Sequence, residues 1–427
     1  MHRVKNIDFI ILGILTLLYS YVVAASTTFY QHTVTVLFSG VLCFFFVREI
    51  FYRESCEKSL QRVYLFMIAL FVGIFSGYYF SGASADLIWA ADSYAAHLPK
   101  SDEVAEAIRS FSLEGLRKPF VGYYRTIHIF TGLAFTVLRN PIVTGFVLLI
   151  FKIIALWSII RLSRKLFDEK VALVSAYLYT FAPCVLFFSI NFYKEMFVQA
   201  WLALSFLFFY EIFEEGKYKK IPFFVFTFFF LSMERSYVAI SVLPGMAFYF
   251  LSMEKFKKSH KLVLAGGVVL ITYTIRTLYF PYLGFENVFA FFREKRASWH
   301  NYDYFDQRYN LELNYFLSWI KLYFTPIFTL QKFELFFNYS ILLTWGSFIH
   351  QATMALFSVG IYNQIKTHTK RTLFYVIPFF VYMCAFAYIG SFSGRTRDSY
   401  YPIIVMFAGY GLVNKVVPFL KRRMRRS

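Results

Sequence analysis

The sequence predicts an all-α, polytopic membrane helix bundle, and three observations support that fold class. Hydrophobic residues make up 58% of the 427 residues, charged residues make up only 16%, and the mean hydropathy is +0.53. A soluble globular domain has about 45–50% apolar and about 25% charged residues. Apolar runs close to the roughly 20 residues that one membrane-spanning helix needs recur along the chain. These observations exclude an ordinary soluble protein.

Clusters of Lys and Arg in the short loops predict the topology, because such clusters stay on the cytoplasmic side of a membrane. Every large cluster falls on one side if a single polytopic membrane domain, residues 1–427, makes about 12 spans with both termini in the cytoplasm. The predicted spans are residues 7–24, 34–47, 63–80, 142–160, 171–190, 196–212, 221–233, 237–251, 262–280, 340–361, 372–389 and 400–416.

Two large external loops follow from this topology, residues 81–141 and residues 281–339. Each contains an apolar stretch that does not qualify as a span. Residues 127–138 are too short to cross, and residues 315–330 carry a lysine and a proline. Both are predicted to be interfacial or re-entrant helices, and an amphipathic surface helix is predicted to begin near Pro99.

The formal net charge of +19 is first a topology signal. It is compatible with membrane lipids and with an anionic lipid or phosphate partner, and nucleic acid is not needed to explain it. The four cysteines lie far apart and suggest neither a disulfide framework nor a metal site. No cofactor and no metal are therefore predicted, and the sequence does not show whether a divalent ion is needed.

Two short turns place opposite charges at the predicted outer boundary of the membrane. One turn contains Lys194 and Glu195, and the other contains Glu234 and Arg235. Ionisable groups buried at membrane depth are costly, which makes them candidates for function. The alternative is a pair of local ion pairs that cap the two hairpins.

Asp92 lies in the first external loop, where a carboxylate above a membrane cavity can take a proton from an acceptor hydroxyl. The alternative is a structural role, because Asp is also a good N-cap for a helix. Asp86 has the same ambiguity, and its spacing from Asp92 does not suggest a metal-binding pair. His97 is interpreted as a surface histidine rather than a catalyst.

Arg395 and Arg397 flank one residue in the last external turn, after a flexible glycine. Two arginines at this spacing are suited to the oxygens of a phosphate or pyrophosphate. The alternative is an interfacial belt that contacts lipid headgroups nonspecifically. Because arginine on the outer face runs against the usual charge bias, the site is favoured.

The second external loop contains a segment that is both polar and aromatic, with Tyr302, Tyr304 and Tyr309. A sugar ring offers C–H faces and hydroxyl groups, which match aromatic faces and hydrogen-bonding edges. Tyrosines also anchor membrane proteins at the interface. Sugar or acceptor binding and interfacial anchoring are equally compatible with this segment.

Four stretches together resemble the GT-C class of integral-membrane glycosyltransferases, which use polyprenyl-phosphate sugars. They are the Asp92-Ser93-Tyr94 segment with the amphipathic helix after it, the turn at 161–173, the hairpin at 183–195, and the last turn and span at 394–412. The resemblance implies transfer of a sugar from a polyprenyl-phosphate donor to a glycan, lipid or protein acceptor. It implies a multi-pass protein of a bacterial or archaeal cell membrane, with the active site on the outer face.

The resemblance also implies roles for individual residues. Asp92 would be the general base for the acceptor hydroxyl. The groups that hold the phosphate leaving group would be Lys194, Arg235, Arg395 and Arg397. Supporting roles would fall to Asp86, His97, Glu195 and Glu234.

Two other functions stay open. An O-antigen or exopolysaccharide polymerase or ligase also works on lipid-linked glycans, joined through pyrophosphate, and often has a large late loop like residues 281–339. A lipid or polysaccharide transporter or flippase is the second alternative. Transporters usually have paired halves and charges near the membrane midplane, and the sequence shows neither an internal repeat nor a midplane cluster.

Overall fold

The architecture comes from a computed structural model. It describes parts of the segment 59–67 and, further along the chain, residues 97–111, 125–137, 139, 141–182, 185, 192–252, 290, 294, 315–324, 341–389 and 397–425. The predicted spans 7–24, 34–47 and 262–280 lie outside the described residues, as does most of 63–80.

Helices account for all of the regular structure in these residues. In chain order they are α1 (Leu98–Arg109), α2 (Thr126–Phe135), α3 (Pro141–Leu166), α4 (Glu169–Phe181), α5 (Glu195–Phe213), α6 (Ile221–Glu234), α7 (Ser236–Ser252), α8 (Tyr315–Phe324), α9 (Ile341–Ile389), α10 (Tyr401–Gly411) and α11 (Val417–Met424). Short 3₁₀ turns cover Tyr218–Lys220 and Asp398–Tyr400, and a π turn, Leu412–Val416, joins α10 to α11.

Four helical stretches are long and apolar enough to cross a membrane. They are Val143–Leu166, Glu195–Phe213, Ile349–Tyr388 and Asp398–Met424. The predicted all-α membrane bundle is therefore confirmed. The number of spans and the side on which the termini lie stay predictions.

Helix α5 is the centre of the described bundle. Its residues from Glu195 to Ile212 are all buried, which fits a helix that is apolar on every side. It packs against α3 and α6, and it also contacts α10. Aromatic rings contribute to its packing: the ring centroids of Phe197 and Phe151 of α3 are 4.0 Å apart, and those of Phe209 and Phe374 of α9 are 4.2 Å apart. A residue on α5 is consequently held on several sides.

The last span is fixed to α9 by a close backbone approach at two glycines. A Cβ atom built on Gly360 would lie 1.9 Å from the carbonyl oxygen of Phe407, and one on Gly411 would lie 2.3 Å from that of Leu356. Small residues let membrane helices approach closely enough for this contact. The helix that follows Arg397 and Asp398 is therefore set tightly against its neighbour.

One predicted span is interrupted in the structure, and two others meet at a kink. In the span predicted at 171–190, helix α4 ends at Phe181, because Ala182 precedes Pro183 and adopts an extended conformation, as residues before proline tend to do. Of residues 183–190 the structure describes Val185, which is again helical. The spans predicted at 340–361 and 372–389 correspond to two helices within α9 that meet at a kink at His368, whose backbone angles are non-helical. The break between the two predicted spans is therefore a kink at a single residue.

The predicted short helices of the external loops are present as α1, α2 and α8. Helix α2 has 10 residues, which gives a length of about 15 Å, or half the hydrocarbon thickness of a bilayer. It cannot cross the membrane, as the sequence predicts. Helix α1 packs on α2, and α2 in turn contacts α3.

Candidate functional site

The beginnings of α5, α7 and α10 meet at one end of the bundle, and charged side chains are buried there. We call this the charged end, defined by Lys194, Glu195, Glu234, Arg235, Arg397 and Asp398.

An ion pair between Glu195 and Arg235 lies at the centre of the charged end. An oxygen of Glu195 is 2.7 Å from Nη2 of Arg235, and the two side chains are 0% and 5% exposed. Arg235 also donates a hydrogen bond to the hydroxyl of Ser399. Glu195 is therefore paired with the arginine of the next hairpin. The alternative from the sequence was an ion pair within each hairpin; the ion pair that Glu195 makes with Arg235 instead joins two hairpins.

Arg397 and Asp398 form a second buried ion pair, in which Nη2 of Arg397 is 2.9 Å from Oδ1 of Asp398. The backbone carbonyl of Asp398 accepts a hydrogen bond from the Gln199 side chain at 2.8 Å, and Gln199 accepts one from Tyr179 at 2.7 Å. These bonds connect the start of α10 to α5 and α4. Arg397 is thus part of the packed interior, and its contact with a phosphate stays a prediction.

Glu234 caps the N-terminus of α2, a helix in the loop that the sequence predicts to be the first external one. One of its oxygens accepts hydrogen bonds from the hydroxyl of Thr126 and, at 3.0 Å, from the backbone N–H of Ile127. The indole N–H of Trp201 adds a bond to Thr126 at 3.2 Å. A carboxylate is stabilised at this position because the N-terminus of a helix carries partial positive charge. Glu234 therefore holds the loop helix against the charged end.

Lys194 differs from the other cations of the charged end because its side chain makes no ion pair and no hydrogen bond with the described residues. It is half-buried just before α5. Burial, reinforced by the positive charges of Arg235 and Arg125, holds its pKa well below the usual value for lysine. An anion that arrives at this end would meet a cation that has no close partner of its own within the described chain.

Arg125 belongs to this site although the sequence analysis did not select it. It precedes α2 and is close enough to affect the pKa of Lys194 through its charge. The criterion that selected Arg395 also applies to Arg125: both are arginines on the predicted outer side, where the charge bias makes arginine uncommon. Arg125 was not selected because it directly precedes an apolar stretch, where a charged residue commonly marks the end of a helix.

His97 is buried, and the interpretation as a surface histidine was wrong. It is 4% exposed, and its ring packs edge-on against Phe192 with centroids 5.7 Å apart. Its Nδ1 lies 2.9 Å from Nε2 of His128. Both partners are distant in the sequence, so no local pattern around His97 could reveal its burial.

The remaining predicted site residues lie outside the described residues. They are Asp86, Asp92, Arg395, Tyr302, Tyr304 and Tyr309. Within the part of the chain that the structure describes, no group of three or more His, Cys, Asp or Glu side chains is placed to hold a metal ion.

Fold and site together define an integral membrane protein that concentrates charged groups at one end of a helix bundle. Residues 117–279 match the model of a family described as dolichyl-phosphate-mannose-protein mannosyltransferase. That family is part of the GT-C superfamily of membrane glycosyltransferases, so the resemblance to this superfamily is confirmed over residues 117–279, which include the stretches 161–173 and 183–195. The match supports a membrane glycosyltransferase of the GT-C type. Comparisons with curated proteins and with solved structures gave no match.

Proposed function

We propose that this protein transfers a sugar from a polyprenyl-phosphate donor to an acceptor on the non-cytoplasmic side of the membrane. The observation that carries the proposal is Lys194, a half-buried cation with no ion pair among the described residues, set among fixed charges. The matched segment 117–279 includes Lys194, Arg125 and Arg235, which supports a role for them in a glycosyltransferase site.

The proposed reaction is one displacement at the anomeric carbon of the sugar. The acceptor oxygen forms a bond to that carbon, while the bond from the carbon to the phosphate oxygen breaks and its electron pair leaves with the phosphate. The proton of the acceptor hydroxyl goes to the carboxylate of Asp92. Negative charge grows on the departing phosphate, and fixed cations stabilise it most at that stage.

The contacts separate the cations into those that stabilise the structure and those proposed to bind the phosphate. Arg235 and Arg397 hold Glu195 and Asp398 and so maintain the architecture of the charged end. Lys194, with Arg125 and Arg395, is proposed to contact the phosphate. This assignment narrows the set of phosphate-binding cations predicted from the sequence, because the charges of Arg235 and Arg397 are already offset by the buried carboxylates of Glu195 and Asp398.

A transfer assay with purified protein tests the proposal. A radiolabelled polyprenyl-phosphate sugar is supplied in proteoliposomes with candidate acceptors, and labelled product and free lipid phosphate are measured. We expect Asp92→Asn to abolish transfer and Lys194→Met to raise the KM for the donor about tenfold, as for the loss of a charge-assisted hydrogen bond. Lys219→Met is the matched control, because Lys219 is exposed on the loop before α6.

Three outcomes would refute the proposal. Label that only changes leaflet would indicate a flippase. Activity restricted to pyrophosphate-linked glycans would indicate a polymerase or ligase. A donor KM in Lys194→Met equal to that of wild type, with expression equal to the Lys219→Met control, would show that Lys194 does not bind the donor phosphate.

A further inference from the structure

Two buried histidines from different helices are joined ring to ring beside the charged end. His97 immediately precedes α1, and His128 is in the first turn of α2. Nδ1 of His97 lies 2.9 Å from Nε2 of His128, and the backbone N–H of Arg125 donates to Nδ1 of His128 at 2.9 Å. Three groups thus form one continuous hydrogen-bonded chain.

The direction of this chain follows from its first bond. A backbone N–H can only donate, so Nδ1 of His128 accepts and carries no proton. A neutral imidazole must then carry its proton on Nε2, and this proton is donated to Nδ1 of His97. Nδ1 of His97 therefore accepts as well, and its own proton is on Nε2. Each ring is fixed in the Nε2–H tautomer.

Burial and nearby charges keep His128 neutral. Burial is the main cause that lowers the pKa of His128 to about 2, with smaller contributions from His97, Arg125, Lys100 and Lys194. Protonation of His97 at Nδ1 would also place two N–H groups against each other unless the bond from Arg125 broke. Electrostatics thus opposes imidazolium formation at His128, and the hydrogen-bond chain opposes a proton on Nδ1 of His97.

We propose that His128 is a positioning residue that fixes His97 as a neutral Nε2–H donor to an oxygen at the reactive end of the protein. The Nε2–H group of His97 is buried and therefore requires a hydrogen-bond acceptor. Because Nε2 carries the proton in the fixed tautomer, this acceptor must be an atom with a lone pair and cannot be an N–H or ammonium group. His97 follows Asp92 by five residues, so the donor serves the loop to which the proposed base belongs. The link to catalysis rests on the proposed function, whereas the tautomer does not.

Nitrogen-15 NMR of the histidine rings tests the tautomer directly. Full-length protein with ¹⁵N-labelled histidine is reconstituted in lipid, and the signals of His97 and His128 are assigned by comparison with His97→Gln and His128→Gln. We expect both rings to be neutral and protonated on Nε2 from about pH 6 to about pH 9, across the ordinary histidine pKa. An imidazolium or an Nδ1–H ring at either position overturns the proposal.

Two substitutions at His128 separate positioning from simple packing. In His128→Gln, the amide oxygen can accept from the Arg125 N–H, as in a capping box, while the amide NH₂ donates to His97. In His128→Glu the cap is kept, but the carboxylate can only accept, so His97 must turn its proton to Nδ1. We expect transfer activity within about threefold of wild type for Gln and a loss of about tenfold for Glu at pH 8.

The pH profile gives a readout that a structural role would not move. His97 in His128→Glu is expected to donate from Nε2 only as imidazolium. Activity measured at saturating donor, where a pH-dependent donor KM does not limit the rate, should therefore fall as pH rises in this variant and not in wild type. Equal activity and parallel profiles for Gln and Glu would overturn the positioning role. If wild type transfers no sugar but the NMR result is as expected, the proposed function fails and the tautomer assignment stands.

Discussion

Removal of one partner of the Glu195–Arg235 ion pair should strongly destabilise the protein. At 2.7 Å between nitrogen and oxygen, two unit charges attract by about 6 kcal/mol at an effective dielectric constant of about 20. Much of this attraction offsets the cost of taking both charges out of water, but a single substitution leaves the other charge buried alone. We therefore expect Glu195→Gln and Arg235→Gln each to lower the free energy of unfolding by about 3–5 kcal/mol.

A double-mutant cycle in mixed detergent micelles measures this coupling. The double variant Glu195→Gln/Arg235→Gln should lose less stability than the sum of the single variants, by about 2 kcal/mol or more. The pair formed by Asp102 and Arg139 is a matched control, since it has the same 2.7 Å separation but side chains that are 38% and 51% exposed. Its disruption should cost at most about 1 kcal/mol. Additive losses at the buried pair, or equal losses at both pairs, would refute the reasoning.

Three further predictions concern other parts of the molecule. Gly360→Ala places a Cβ atom 1.9 Å from the carbonyl oxygen of Phe407, so α9 and α10 must separate, and the melting temperature of the purified protein should fall by the equivalent of about 1–3 kcal/mol. Lys194 loses its charge at a lower pH than an ordinary lysine, so the KM for the anionic donor should rise as pH increases through that lowered pKa. Lys194→Arg should move this rise in KM to higher pH, because arginine stays charged. Identical pH profiles of KM in wild type and Lys194→Arg would contradict the prediction. Glu234→Ala removes the cap of α2 and should cost about 1–3 kcal/mol in the same unfolding assay, whereas Glu234→Gln, which can still accept a hydrogen bond, should cost less.

The sequence contained most of the information on the helices. Apolar runs of span length predicted α3, α5, α6 and α7 closely, because lipid leaves little choice other than a helix for such a run. The end of α4 was missed because the apolar pattern continues after Pro183, while the backbone restriction before proline acts on a single residue.

Much less of the candidate site could be predicted. The sequence pointed to Lys194, Glu195, Glu234 and Arg235, since buried charge is costly wherever the helices place it. Which residues pair could not be predicted, because the partner of Glu195 lies 40 residues further along the chain. The cap that Glu234 provides for α2 and the pairing of His97 with His128 depend on tertiary contacts of the same kind.

The charged end has a consequence for how the chain enters the membrane. Its charges occur in the sequence as three adjacent pairs of opposite sign: Lys194-Glu195, Glu234-Arg235 and Arg397-Asp398. On the topology that the loops predict, the first two hairpins would each carry their turn through the bilayer as a nearly neutral unit, which avoids the cost of translocating a lone charge. The third turn also contains Arg395 and keeps a net positive charge. Glu195 finds its final partner, Arg235, only when the second hairpin arrives. Lys194 and Glu195 would thus neutralise one another during biogenesis, before the assembled bundle pairs Glu195 with Arg235.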